Sequence, residues 1–147
     1  MTRAVDSLAA LIEERFKDTL TRVDSVCDEL TYELHPSHLV EACTALRDEA
    51  DFAFEMLIDI SGVDYLDYGK EEWTTNSSTD TGFSRGVERG TAERPLHPTV
   101  QGRPRRFAVT YHLLSISKNH RLRLKALCDD DEYPILSSVT SIWNCAD

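Results

Sequence analysis

The amino-acid sequence predicts an α+β fold, a mixed or antiparallel sheet of about five strands with two helices packed on one face. Residues 5–20 and 36–51 repeat apolar side chains at helical spacing. Residues 106–127 form two strand-length runs of alternating side chains, joined by turn-forming residues. The chain of 147 residues is long enough for a sizeable core, and we expect residues 1–147 to form a single domain.

The first quarter of the chain predicts a helix followed by two short strands. A helix is expected from Val5 to Leu20, because four apolar residues share one stripe: Leu8, Leu11, Ile12 and Phe16. The segments RVDSVC (22–27) and LTYEL (30–34) then alternate as strands do, with a turn at residues 28–29.

A second helix and a third strand are expected next. Pro36 suits a first helical turn, and the apolar residues that follow at helical spacing are Leu39, Cys43, Leu46 and Ala50. The segment FAFEMLIDI (52–60) is dense in large apolar residues and predicts a strand that Gly62 breaks. Residues 67–105 are poor in apolar side chains and rich in turn formers, so we expect a long, flexible insertion between two strands.

The hairpin at residues 106–127 carries the basic face of the sequence. Its first strand is apolar on both sides, which is typical of a central strand. Its second strand puts His120, Leu122, Leu124 and Ala126 on one face and Arg121, Arg123 and Lys125 on the other. Such a basic row is usually a solvated strand face, and the alternative is a docking surface for an acidic neighbour.

The last segment, residues 135–147, predicts an amphipathic helix or another ordered segment. Trp143 is expected in the core or at an interface, the two places where Trp is favoured. We name Arg121, Arg123, Lys125 and Trp143 as candidate interface residues.

The composition excludes several classes of protein. A net charge of −10 argues against nucleic-acid binding through a broad basic surface. No apolar run approaches the roughly 20 residues that cross a bilayer, and the N-terminus lacks a secretory pattern. The cysteines form no CxxC pair and are interpreted as isolated small hydrophobic residues: Cys27, Cys43, Cys128 and Cys145.

The residues with catalytic potential do not form a recognisable active site. His35 and His38 have a spacing that could present two metal ligands, but Pro36 lies between them and no further ligand stands at a fixed offset. Asp59 and Asp64 flank the end of a strand, yet no nucleophile or phosphate-binding loop accompanies them, and His112 is interpreted as a core or interface residue. We therefore predict no catalytic, cofactor or metal site, and an interaction or scaffold role.

The order of several motifs resembles that of one family. These motifs are DISGVD (59–64), YHLLS (111–115), RLRLK (121–125) and SVTSIW (138–143). Together they resemble the C subunit, also called the 30 kDa subunit, of bacterial NADH-quinone oxidoreductase, which is respiratory complex I. The family continues beyond the Trp-containing segment, so the chain is expected to be its N-terminal portion, cut before the C-terminal extension.

This resemblance implies a hydrophilic subunit of the peripheral arm, on the cytoplasmic side of the inner membrane. The family holds no flavin, iron–sulfur cluster or quinone of its own, and these groups lie in partner subunits. The implied partners are chiefly the D subunit homologue and also the B and I subunits, in a complex that transfers electrons from NADH to quinone and translocates protons.

Two alternatives to this assignment remain at the level of sequence. One is a homologous subunit of a membrane-bound hydrogenase or formate hydrogenlyase. The other is a small metal-dependent hydrolase that uses His35, His38 and Asp64.

Overall fold

A computed structural model of the chain describes residues 2–25, 29–66, 73–75, 87–89, 99–100 and 103–146. Within these residues lie two α-helices, α1 (Thr2–Arg15) and α2 (Leu39–Asp48), and a short 3-10 helix (Pro36–His38) that leads into α2. The strands are β1 (Leu20–Val23), β2 (Thr31–Leu34), β3 (Met56–Asp64), β4 (Trp73–Thr75), β5 (Val87–Arg89), β6 (Thr99–Val100), β7 (Arg103–Pro104), β8 (Phe107–Ser115) and β9 (His120–Leu127).

Five of these strands form one mixed sheet in the order β1-β2-β9-β8-β3. β1 and β2 are antiparallel, β2 and β9 are parallel, and β8 and β9 form an antiparallel hairpin. The start of β3 lies beside the end of β8. A hydrogen bond of 2.8 Å from the backbone N–H of Ile116, just after β8, to the carboxylate of Glu55, just before β3, shows this. The neighbouring strands β3 and β8 are therefore antiparallel, and the predicted α+β class with two helices and five strands is confirmed.

The core lies between the two helices and one face of the sheet. Leu124, on the middle strand of the sheet, stands opposite Tyr32 on one side and Tyr111 on the other, and all three are almost fully buried. The helices contribute buried side chains to the same cluster, among them Leu8 and Ile12 from α1 and Leu39, Ala42 and Leu46 from α2. Burial of each large aliphatic side chain contributes about 1.5–3 kcal/mol.

The third strand differs from its prediction at both ends. It begins at Met56 rather than at Phe52, because a turn after α2 places Ala53 at φ 48°, which an extended strand cannot accommodate. Phe52 and Phe54 enter the core from this turn. Gly62 does not break the strand, which runs on to Asp64.

The boundaries of other elements also differ from the predicted ones. α1 ends at Arg15, and the turn that follows lets Leu20 open β1, so the helix is shorter and the first strand earlier than predicted. Half of β1 thus precedes the segment 22–27, and residues 26–28, with Cys27 and the first residue of the expected turn, lie outside the described residues. Described residues 128–146 form turns and irregular backbone, so the last segment is ordered without being helical.

The chain divides into two compact units. The first comprises residues 1–63 and 107–147, and contains the sheet and both helices. The second comprises residues 64–106, where β4 pairs with β5 and β6 with β7. Much of the expected insertion lies outside the described residues, so its flexibility and the single-domain organisation stay predictions.

Candidate partner-binding face

The sheet has a second face, turned away from the helices. Side chains alternate between the two faces of a strand, and the buried Leu57, Tyr111 and Leu124 mark the core side. The other face, which we call the open face, therefore carries the even-numbered residues of β3 and β8 and the odd-numbered residues of β9. It has an apolar part on β3 and a charged part on β9.

The apolar part is a row of three large side chains, Met56, Ile58 and Ile60. Their exposed fractions are 43%, 52% and 41%. Ile116, in the turn that follows β8, is 62% exposed. Aliphatic side chains that stay half exposed on a strand at the border of a sheet are typical of a surface that another chain covers.

This row is not among the residues predicted from the sequence. The alternation of Met56, Ile58 and Ile60 with Leu57 and Asp59 is visible in the sequence, but it lies within a segment that is dense in apolar residues. The border position of β3 depends on strand order, which no local pattern specifies. The alternation itself is the signal that could have found the row.

The charged part contains the three predicted basic residues, in unequal surroundings. Arg123 forms an ion pair with Glu29, from the residues just before β2. Lys125 stands opposite Glu33 in the parallel ladder of β2 and β9. Burial raises the pKa of the Glu33 carboxyl, and the neighbouring Lys125 ammonium partly offsets that rise. Two of the three cations thus already face a carboxylate of this chain.

Arg121 differs from its two neighbours. It is exposed, it stands opposite Leu114 in the β8–β9 ladder, and it makes no ion pair or side-chain hydrogen bond in the described part of the chain. Its guanidinium therefore remains available to a carboxylate from outside the chain.

The predicted Trp143 occupies a core position. Only 4% of its surface is exposed, and its indole N–H donates a hydrogen bond of 3.1 Å to the carbonyl oxygen of Phe54. It also forms part of the wall of a groove of about 500 Å³, whose rim includes Met56 and Ile116. A direct interface role of Trp143 stays a prediction.

Two further contacts hold residues 139–146 beside this groove. Arg47 of α2 donates to the carbonyl oxygen of Ile142 at 2.6 Å, and the Cys145 thiol lies 3.5 Å from the carbonyl oxygen of Leu57. The segment 139–146 thus supports the first residues of β3.

The other residues weighed in the sequence have partners within the chain. His35 contacts Ser37 through Nδ1 and Asp129 through Nε2, at 2.8 Å and 3.3 Å. The rings of His35 and His38 have centroids 6.4 Å apart. No group of three or more potential metal ligands occurs among the described residues.

The two carboxylates near the end of β3 are also held by neighbours. Asp59 accepts a hydrogen bond of 2.6 Å from the Ser61 hydroxyl. Asp64 receives the guanidinium of Arg106 at 2.7 and 2.9 Å and the backbone N–H of Leu66 at 2.9 Å. These contacts give each carboxylate a local structural role.

The described cysteines and His112 fit the same picture. Cys43 and Cys128 are buried, Cys145 is exposed, and all three are free thiols. Burial raises the pKa of the Cys43 thiol to about 12, which keeps it protonated and unreactive at neutral pH. His112 is half-buried on the open face, where it stands opposite Arg123.

The arrangement suits protein–protein association. An open sheet face that combines apolar side chains with an available guanidinium can desolvate against a partner and fix its orientation through one charged contact. The described helices fall short of the length and apolar character that a bilayer crossing requires. The fold and this face define an α+β domain whose sheet exposes an apolar row and an available arginine.

Comparison with known proteins identifies the family. Residues 32–147 match the model of the family described as "Respiratory-chain NADH dehydrogenase, 30 Kd subunit", and the chain belongs to this family. The chain is 45% identical over 141 residues to the C subunit of NADH-quinone oxidoreductase from Coxiella burnetii (strain Dugway 5J108-111), an alignment that covers 96% of this chain and 60% of that protein.

Other relatives give the same result. The chain is 43% identical over 152 residues to the corresponding C subunit from Hydrogenovibrio crunogenus, with 100% of this chain and 64% of that protein aligned. It is 43% identical over 148 residues to that of Halorhodospira halophila, with coverage of 96% and 60%. The chain therefore spans about 60% of the length of the curated relatives that it matches.

Proposed function

We propose that this chain is a subunit of the peripheral arm of an NADH-quinone oxidoreductase, and that it acts by holding other subunits in place. The observation that carries the proposal is the family match over residues 32–147, with relatives at 43–45% identity. The open face supports it, because a scaffold subunit needs a surface that becomes buried on assembly.

In this role the chain takes no direct part in electron transfer. The electrons pass from NADH to quinone through flavin and iron–sulfur clusters in partner subunits, and proton translocation is coupled to that transfer in the complex. The partners are the D subunit homologue and the B and I subunits. The chain resides on the cytoplasmic side of the inner membrane and reaches the membrane only through the complex.

Affinity purification from the native cell tests this proposal. The chain is tagged at its own gene, membranes are solubilised in mild detergent, and the recovered proteins are identified and quantified by mass spectrometry. We expect the peripheral-arm subunits, with the D subunit homologue the most abundant, together with NADH-oxidising activity that the purified chain alone lacks.

Two results would contradict the proposal. Recovery of a nickel-containing large subunit in place of the flavin- and NAD-binding subunits would support the hydrogenase alternative, which the names of the relatives do not favour. Stoichiometric zinc, iron or manganese in the purified chain, with hydrolase activity that the metal sustains, would support the metal-dependent alternative.

A further inference from the structure

We infer that the open face binds an apolar segment of a neighbouring subunit whose border is acidic, with Arg121 meeting its carboxylate. The apolar row of Met56, Ile58 and Ile60 supplies the hydrophobic part of this site. The inference rests on the proposed function and adds to it the location and the chemistry of the contact.

Exposure is the first argument. The three residues of the apolar row are 41–52% exposed, on a nine-residue strand whose Leu57 packs into the core. Long apolar strands at the border of a sheet are normally protected by charge, by proline or by cover from another element. Ser61 and Asp59 alternate with the row and point to the other face, so they do not interrupt it.

Charge is the second argument, and it selects the partner. The chain as a whole has a net charge of −10, yet the open face brings three cations together with two carboxylates. Glu29 and Glu33 compensate Arg123 and Lys125 and leave Arg121 without a carboxylate among the described residues. An acidic group on the partner would complete this set of charges.

The third argument is that the apolar row begins at the end of the sheet where Arg121 lies, with β8 between them. Arg121 stands opposite Leu114, and Leu114 lies two residues before Ile116. The hydrogen bond from Ile116 to Glu55 fixes the start of β3, and hence Met56, at this same end. One partner segment can therefore cover the row and reach the guanidinium.

A second copy of this chain fits the site less well. In a two-fold symmetric contact the same patch would meet itself, and the carboxylates of this patch, Glu29 and Glu33, already face Arg123 and Lys125, so the second copy would bring no uncompensated carboxylate to Arg121. Two chains of net charge −10 would also repel each other. The acidic-bordered partner is therefore another subunit.

Charge-reversal and apolar variants in the tagged full chain test the inference. The face variants are Ile58→Glu and Arg121→Glu, and the matched controls are Val40→Glu and Lys17→Glu. Val40 is an exposed apolar residue of α2, and Lys17 an exposed cation after α1, so the controls make equal changes on the helical side. We expect each face variant to lower recovery of the arm subunits about tenfold relative to its control, as for central interface residues.

Folding is controlled separately. The circular dichroism spectrum and the thermal midpoint of each variant are compared with those of wild type. If Ile58→Glu does not fold, Ile58→Thr replaces it in the test, because threonine keeps a β-branched side chain.

In a second measurement, Ile60→Cys and the control Val40→Cys are labelled with maleimide before and after assembly, and each site is quantified by peptide mass spectrometry. We expect at least a tenfold fall in labelling at position 60 on assembly and no change at position 40.

The outcomes separate the two proposals. If wild type recovers the arm subunits and the face variants recover them as well as their controls do, the face inference is wrong while the proposed function stands. If wild type recovers none of them, the proposed function fails. Protection of position 60 in the isolated chain, or a homodimer that Ile58→Glu dissociates, would also overturn the inference.

Discussion

The substitution Trp143→Phe separates a structural role of this residue from a role in binding. Trp143 is 4% exposed, and its indole N–H donates to the carbonyl oxygen of Phe54 at 3.1 Å. Phenylalanine cannot donate this bond, and a buried carbonyl left without its donor costs about 1–3 kcal/mol. The smaller ring also leaves a void, which lowers the stability by about 1 kcal/mol more. We expect the free energy of unfolding to fall by about 2–4 kcal/mol.

Urea denaturation followed by circular dichroism measures this change, with linear extrapolation to water. For a chain of this length, about 2–4 °C of thermal midpoint corresponds to each kcal/mol, so the midpoint should fall by roughly 4–16 °C. Asn144→Ala is the control, because Asn144 is the exposed neighbour on the same segment and should change stability by less than about 0.5 kcal/mol.

The opposite pattern would refute the reasoning. A loss of stability below about 0.5 kcal/mol, combined with poor recovery of the arm subunits, would mean that Trp143 acts at the interface and not in the core. We expect instead that Trp143→Phe, corrected for the fraction of folded chain, recovers those subunits as wild type does.

Three further predictions concern β3 and the residues around it. The Ser117 side chain and nearby backbone N–H groups, including that of Ile116, lower the pKa of Glu55 to about 2. The ionised carboxylate therefore stabilises the fold above the ordinary pKa near 4.5, and this contribution is lost as the pH falls through about 2. Glu55→Gln should make the free energy of unfolding fall less steeply between pH 5 and pH 2. Ala53→Gly should raise the free energy of unfolding by about 0.5–1 kcal/mol, because Ala53 has a φ of 48°, and a decrease in urea denaturation would contradict this reasoning. Gly62→Val should be neutral or stabilising by up to about 1 kcal/mol, since no atom lies within 4 Å of an added Cβ, and a lower thermal midpoint would show hidden crowding.

Local patterns predict the hairpin of β8 and β9 with little error. The alternation around Leu122, Leu124 and Ala126 determines its faces, and the turn chemistry of Asn119 places its connection. The structure gives Asn119 a φ of 54°, a conformation that asparagine tolerates better than most residues. Where one element satisfies both a strand period and a turn signal, the sequence alone is sufficient.

The strand preceding the insertion shows where such patterns fail. The run from Phe52 to Ile60 is rich in apolar residues throughout, so composition cannot separate the buried turn from the strand. The prediction that Gly62 breaks the strand is wrong, because the strand continues past it even though glycine usually weakens strands. The conformational preference of one glycine therefore contributes less free energy than the hydrogen bonds along a long pair of strands.

The topology of the sheet is not available from the sequence. The parallel pairing of β2 with β9 joins segments about 90 residues apart, and no local signal specifies it. This pairing places Tyr32 against Leu124 in the core, with its hydroxyl 3.3 Å from the Glu13 carboxylate of α1. Burial accordingly raises the pKa of Tyr32 to about 12, with Glu13 adding to that rise.

The same pairing determines what the basic row can do. Alternation alone makes Arg121, Arg123 and Lys125 equivalent, but β2 brings Glu29 and Glu33 beside two of them. Arg121 extends past the end of that parallel ladder, whose first pair is formed by Thr31 and Arg123, and so it meets no carboxylate from β2. The register that builds the core therefore also leaves Arg121 as the one cation of the row without a carboxylate beside it among the described residues.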